Sequence, residues 1–137
     1  MKAVLDTSVV VATGVGRLEG QLAVSAATLA ELHFGVLVAK EGTVRAERLR
    51  RLSVVEQRFE PLPVDEAVAR SYGRLAAAVV QAGRKPRPRV MDLLIAATAH
   101  ANGARLYTAN PDDLRGLEAE LDLVAVPTST PRGRSRR

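Results

Sequence analysis

The sequence predicts an α/β fold: a three-layer α/β/α sandwich around a central, mainly parallel sheet. Two observations carry this. Short apolar runs of strand length alternate with longer segments of helical character, and that alternation gives a parallel-type sheet with helices on both faces. Polar residues also stand just past the ends of two such runs: Asp6 after Lys2–Leu5, and Asn110 and Asp113 after Arg105–Thr108. The carboxyl ends of strands are where sites form in folds of this kind.

Taken in order, Lys2–Leu5 reads as a short buried strand ending at Asp6. Ser8–Thr13 reads as a short helix closed by the Gly14/Gly16 loop. Leu22–Val24 is a second strand. Ser25 or Thr28 can cap a helix running to about Ala39, and Glu41-Gly42 ends it. Val44–Phe59 is amphipathic, with Val44, Leu49, Leu52, Val55 and Phe59 as its apolar stripe and Arg45, Glu47, Arg48, Arg50 and Arg51 on the wet side. Pro61–Val64 is a short strand or extended link. Asp65 caps a long helix, Glu66–Ala82, stopped by Gly83.

A basic, Pro-rich loop follows, and then a very apolar helix, Val90–Ala101, with Asn102-Gly103 as its stop. Arg105–Thr108 is a strand, Pro111–Leu117 a short helix and Leu121–Val126 the last strand. Pro127 opens a tail expected to be disordered. The chain thus divides into one domain over residues 1–126 and a basic tail over 127–137.

Composition narrows the chemistry. The absence of Cys excludes disulfides, thiolate metal sites and Cys nucleophiles, and it fits a cytoplasmic setting. The most apolar long stretch, Leu22–Ala39, contains Glu31 and His33, so no membrane span is expected, and Asp6 interrupts any signal-peptide core. The net charge of +5 is unevenly placed. Arg84, Lys85, Arg87 and Arg89 form one basic element and the four Arg of Arg132–Arg137 another; setting those eight aside leaves −3. Two basic elements on a slightly acidic body suit a polyanion such as nucleic acid, and equally suit a solvated loop and a solubilising tail.

The acids each have an ordinary structural reading. Asp6 fits an N-cap, Asp92 the first turn of a helix, and Asn110-Pro111-Asp112-Asp113 a helix start. Glu31 lies mid-helix among apolar neighbours, in a helix expected from them to be largely buried, with no Lys or Arg within four residues. A buried carboxylate there is costly unless it is paired or metal-bound. In conjunction, four carboxylates brought to one crevice could not all stay ionised without a cation, and oxygen ligands in that number select Mg²⁺ or Mn²⁺ over zinc. His33 and His100 lack zinc-protease spacing, and neither a phosphate-binding Gly loop nor a nucleophile elbow is present.

The stretches LDTSVV, SAATLAELHFGV, RVMDLLIAATAHANGARLYTANPDDL and LDLVAV resemble the PIN-domain family, and more narrowly its VapC-type ribonuclease toxins of type II toxin–antitoxin systems. The resemblance covers roughly residues 2–126. It implies a PIN-like fold and Mg²⁺-dependent hydrolysis of RNA, with Mn²⁺ as a substitute ion. Asp6, Glu31, Asp92 and Asp113 would form the acidic site, Asp6 and Asp92 being the principal metal ligands. Glu31 and Asp113 would bind metal directly or through water, and Thr108 and Asn110 would support them. Arg84, Lys85, Arg87 and Arg89, directly before the Asp92 helix, are placed to hold RNA phosphates. The partners implied are RNA, a VapB-like antitoxin and a second copy of the chain, with DNA reached only through the antitoxin and no membrane contact. The Gly14–Gln21 loop is shorter than in many relatives, and Leu114 stands where Phe is frequent. Two other functions fit the same residues: a PIN-type RNA-processing nuclease without an antitoxin, and a non-catalytic α/β binding module whose acids are helix caps.

Overall fold

The structure is a computed structural model, and it describes residues 1–129. Four strands form one parallel sheet: β1 (Lys2–Leu5), β2 (Gln21–Ala23), β3 (Arg105–Thr108) and β4 (Leu123–Ala125), in the order β2-β1-β3-β4. Five α-helices surround it: α1 (Thr7–Val10), α2 (Ala26–Val38), α3 (Gly42–Arg58), α4 (Glu66–Gln81) and α5 (Val90–Ala101). Period-2 alternation separates the two faces. Val4 and Leu106 enter one core with Val68, Leu75, Val79, Leu93 and Ile95, from α4 and α5. Ala3, Leu5 and Tyr107 enter the other with Val9, Leu32, Val36, Leu52 and Val55, from α1, α2 and α3. This is the three-layer α/β/α arrangement.

The helix starts are fixed by side chains expected from local chemistry. Ser25 accepts from Ala27 N at 3.0 Å and Asp65 from Val68 N at 3.0 Å. Ser25 is fully buried and also shares a 2.9 Å hydrogen bond with Thr98 Oγ1, joining α2 to α5. Positive-φ glycines follow two helix ends, Gly83 after α4 and Gly103 after α5. The Pro61–Val64 segment is an extended link: Leu62 N donates to Val24 O, and Leu62 O accepts from Ala26 N.

Three elements differ from the sequence reading. The 111–117 segment is a single 3₁₀ turn, Pro111–Leu114, because Arg115 turns to extended backbone. In α3 only Leu52 and Val55 of the stripe are buried, while Val44 and Leu49 are exposed. That helix packs mainly on α2, and Phe59 at its C-terminal end packs against the core. Most consequentially, α2 is not apolar because it is enclosed: Phe34 is 66% and Leu37 72% exposed. Beyond β4 the chain stays against the domain through Ser129, whose N–H donates to Thr13 O at 2.8 Å. The remainder of the tail lies outside the described residues. Among those residues no helix is long and apolar enough to cross a membrane.

The α4–α5 side holds the larger buried cluster, with Leu75 fully buried. Leu75→Ala is expected to cost about 2–5 kcal/mol of stability, read as a lowered midpoint in urea unfolding followed by circular dichroism.

Candidate active site

Parallel strands end at one edge, and the site is built there. The β1–β3 register sets Leu5 beside Tyr107, which brings the next residues, Asp6 and Thr108, together. Asp6 is only 6% exposed. Its Oδ2 gathers donors from one side: Thr108 Oγ1 at 3.1 Å, the Ser8 hydroxyl, and Ser8 N at a long 3.4 Å. Asp6 is thus the N-cap of α1, held more firmly by hydroxyls than by the backbone bond. Oδ1 takes no hydrogen bond from the described residues and is not a buried orphan, so it is left to solvent or a ligand.

Glu31 lies half-buried on α2. Thr7 Oγ1 donates to its Oε1 at 2.7 Å and stands 3.0 Å from Thr28 Oγ1, so α1 and α2 jointly orient this carboxylate. Asp92 occupies the first turn of α5, where the helix dipole favours a negative charge. Even so, its carboxyl is pushed up to about 6. Burial is the largest cause, and then the charges of Asp6, Asp113 and Glu31; Arg89 acts the other way. Asp6, Asp113 and Glu31 thus each lie near enough to Asp92 for their charges to be felt there.

Asp113 is carried on the exposed 3₁₀ turn after β3. Asn110 sits at the turn's cap position without a side-chain cap bond; its N–H donates to Thr108 Oγ1 at 3.0 Å. The basic loop lies across this turn. Arg84 Nη1 donates to Asp112 O and Arg115 O, both at 3.1 Å, and Arg89 Nη1 to Asp113 O at 3.1 Å. Arg84 and Arg89, expected to face RNA, are thus engaged on the turn, whereas Lys85 and Arg87 are exposed.

The hydroxyls of Thr7, Ser8 and Thr28 were not visible as site residues in the sequence. Ser8 Oγ also accepts from Ala109 N at 2.9 Å, tying the ends of β1 and β3 together. The available signal was the pair of hydroxyls directly following Asp6. The two histidines lie elsewhere: His33 Nε2 is 3.0 Å from Glu56 Oε2, and His100 Nδ1 is 2.8 Å from Ser71 Oγ. Beside Glu31, an open cleft of about 450 Å³ is lined by Thr7, Phe34, Val38, Arg48 and Arg51.

Among the described residues no group of three His, Cys, Asp or Glu side chains is already arranged to hold a metal ion. The donor set is nonetheless all carboxylate oxygen, with one free Asp6 oxygen beside an Asp92 whose charge is disfavoured. That fits a hard divalent cation that keeps several waters and takes one or two direct carboxylates. In the metal-free protein the Asp92 carboxyl is expected to titrate near pH 6 in ¹³C NMR. Because its folded value lies above the ordinary 3.8, this group's contribution favours the fold below about pH 4 and is lost as pH rises through about 6. Asp6→Asn should move that midpoint downward; an unmoved midpoint would show that the two carboxylates do not share a site.

A PIN domain family model matches residues 3–118. The chain is 39% identical to Ribonuclease VapC5 of Mycobacterium tuberculosis over 131 residues, covering 90% of this chain and 94% of the relative. It is 37% identical to Ribonuclease VapC4 of the same organism over 117 residues, covering 81% and 88%. Among solved structures, that of VapBC-5 from M. tuberculosis, a member of the VapBC family of toxin–antitoxin systems, matches with a TM-score of 0.82 at 36% identity, covering 91% of this chain and 98% of that one. With this fold and these relatives, the chain belongs to the PIN-domain family and, within it, to the VapC group.

Proposed function

We propose that the chain is a divalent-metal-dependent endoribonuclease, the toxin half of a toxin–antitoxin pair acting in the cytoplasm. The observation that carries this is a part-buried Asp92 whose carboxyl is pushed up first by burial and then by the charges of Asp6, Asp113 and Glu31. A cap-only role for the acids would leave that mutual repulsion without a purpose. The relatives named as VapC ribonucleases support the activity, and the VapBC-5 structure supports an antitoxin partner.

In this reading Asp6 Oδ1 and Asp92 would hold Mg²⁺, or Mn²⁺ in its place, with Glu31 and Asp113 reaching it directly or through water. When bound, the ion supplies Lewis-acid polarisation of the scissile phosphate and acidifies a water. The protein's own groups do the rest. Thr108 and Ser8 fix Asp6 from the Oδ2 side, so its free oxygen keeps one direction. Thr7 holds one oxygen of Glu31, leaving the other to accept a proton from the attacking water and orient it. Lys85 and Arg87, exposed at the head of α5, hold the flanking phosphates that an acidic cup alone would repel. The products carry a 5′-phosphate and a 3′-hydroxyl.

The exposed apolar residues Phe34, Leu37 and Val38 of α2, with Val80 of α4, are surface that a second copy or an antitoxin would cover. They explain how α2 can be apolar nearly all round without being enclosed.

Wild-type protein is expected to cleave total RNA in Mg²⁺ and to stop when the ion is chelated. Asp6→Asn and Asp92→Asn should each lose at least on the order of 100-fold, the upper end of what losing an outer-sphere partner costs. Equal cleavage by wild type and Asp6→Asn would sink the proposed site. Separately, replacing Lys85 and Arg87 together by Ala should lower the slope of log affinity against log salt by about 1.4 for single-stranded RNA, measured by filter binding without metal.

A further inference from the structure

The four cations of the loop between α4 and α5 divide by what they touch. Arg84 leaves the end of α4, where Arg84 N donates to Val79 O at 3.0 Å, so its backbone is fixed by the helix. Its side chain crosses to a segment 28 to 31 residues away. There one guanidinium nitrogen binds the carbonyls of Asp112 and Arg115, which bracket Asp113. Arg89 binds the carbonyl of Asp113 itself and lies 3.8 Å from that residue's Oδ1. Its side chain is about a quarter exposed.

Besides the Asn110 N–H bond to Thr108 Oγ1 at 3.0 Å and an exposed 3.6 Å Arg115–Asp112 ion pair, the turn has few bonds of its own. Pro111 has no N–H, and Asn110 gives no side-chain cap. The internal bonds are Asp113 N to Asn110 O at 3.1 Å and Arg115 N to Asp112 O at 3.3 Å. Leu114 is anchored in the core, and the turn also touches α5 and β4. Immediately afterwards the chain presses on the end of α4. Gly116 has φ +102, and a Cβ there would stand 3.1 Å from Ala82 Cβ. The end of α4 and the basic loop thus form a seat for the residues carrying Asp113.

We propose that Arg84 and Arg89 are positioning residues for Asp113, holding its carboxylate toward Asp92, and that Lys85 and Arg87 alone are the phosphate contacts of this loop. The proposal rests on the metal-dependent nuclease reading. Charge-assisted bonds from a guanidinium to carbonyls are strong and directional. Lys in the same place keeps the charge, but its shorter side chain ends about one bond short of where Nη1 holds both carbonyls. That separates position from charge.

The test compares wild type, Arg84→Lys, Arg84→Ala, Arg89→Lys and Asp113→Asn, each checked for an intact thermal melt. Two quantities are read: Mn²⁺ affinity of the RNA-free protein by calorimetry, and RNA affinity against salt without metal. Arg84→Lys and Arg89→Lys are expected to weaken Mn²⁺ binding by about 10-fold, with the salt slope unchanged. In the Asp113→Asn background, Arg84→Lys should weaken Mn²⁺ binding no further. The half-saturating Mg²⁺ for cleavage should rise in parallel. Wild-type Mn²⁺ affinity in Arg84→Lys, or a salt slope reduced by about 0.7 in Arg84→Ala with metal binding intact, overturns the positioning role while leaving the nuclease reading standing. A wild-type protein that neither binds Mn²⁺ nor cleaves RNA overturns both.

Discussion

The interaction on which the rest depends is the seating of the Asp6 carboxylate at the end of the central strand. A carboxylate that is 6% exposed must be hydrogen-bonded or neutralised. Here Thr108 and Ser8 satisfy one oxygen, and both can do so only because β1 and β3 run parallel and in register. An antiparallel β3 would carry Thr108 to the opposite edge of the sheet. The same parallel order delivers β4 beside β3 and places the Asp113 turn at the same edge. Sheet direction, register and site are consequences of one constraint.

The site is electrostatically unfavourable as it stands, and the structure offsets this only in part. Asp92 has the N-terminal end of α5 behind it and Arg89 nearby, yet burial and its three acidic neighbours still hold its carboxyl up at about 6. Natural folds reserve such arrangements for places where charge is to be compensated by something bound. Arg89 is then suited to limit the repulsion without abolishing it: it lies close enough to be felt by Asp92 while its hydrogen bond is spent on the Asp113 backbone.

Much of this was legible in the sequence because it is local. β1, β3 and α5 were readable to the residue, since each is a short apolar run with a sharp polar or Gly boundary. Asp65 and Ser25 were readable as caps. What could not be read is whatever depends on which surface meets which. Hydropathy reports that α2 is apolar; it cannot report that Phe34 and Leu37 face outward, because a face awaiting a partner and a face in the core have the same composition. The α3 stripe failed at Val44 and Leu49 for the same reason. Asp6, Asp92 and Asp113 were recognisable from strand ends and helix starts, and Glu31 from its place mid-helix among apolar residues, but the hydroxyls that orient them were not. Thr7 meets Glu31 and Thr28 only through tertiary packing of α1 on α2. Likewise Arg84 and Arg89 read as part of a charge run, and only the fold reveals their carbonyl partners.

The helix-cap role of Asp6 and its proposed metal role are compatible, because its two oxygens are engaged differently. Oδ2 takes the cap bond and both hydroxyls, which fixes the side chain; Oδ1 takes none of them. Capping is therefore how the carboxylate is aimed, because a side chain already locked by its structural bonds loses little further freedom when it binds. Glu31 repeats the division, with Oε1 bound by Thr7 and the other oxygen outside that bond. In each case a neighbouring hydroxyl fixes one oxygen and leaves its twin available. A Thr-Ser pair following the first Asp is well suited to such a site: Ser8 turns back to Asp6, Thr7 reaches across to Glu31, and one turn of helix orients two acids at once.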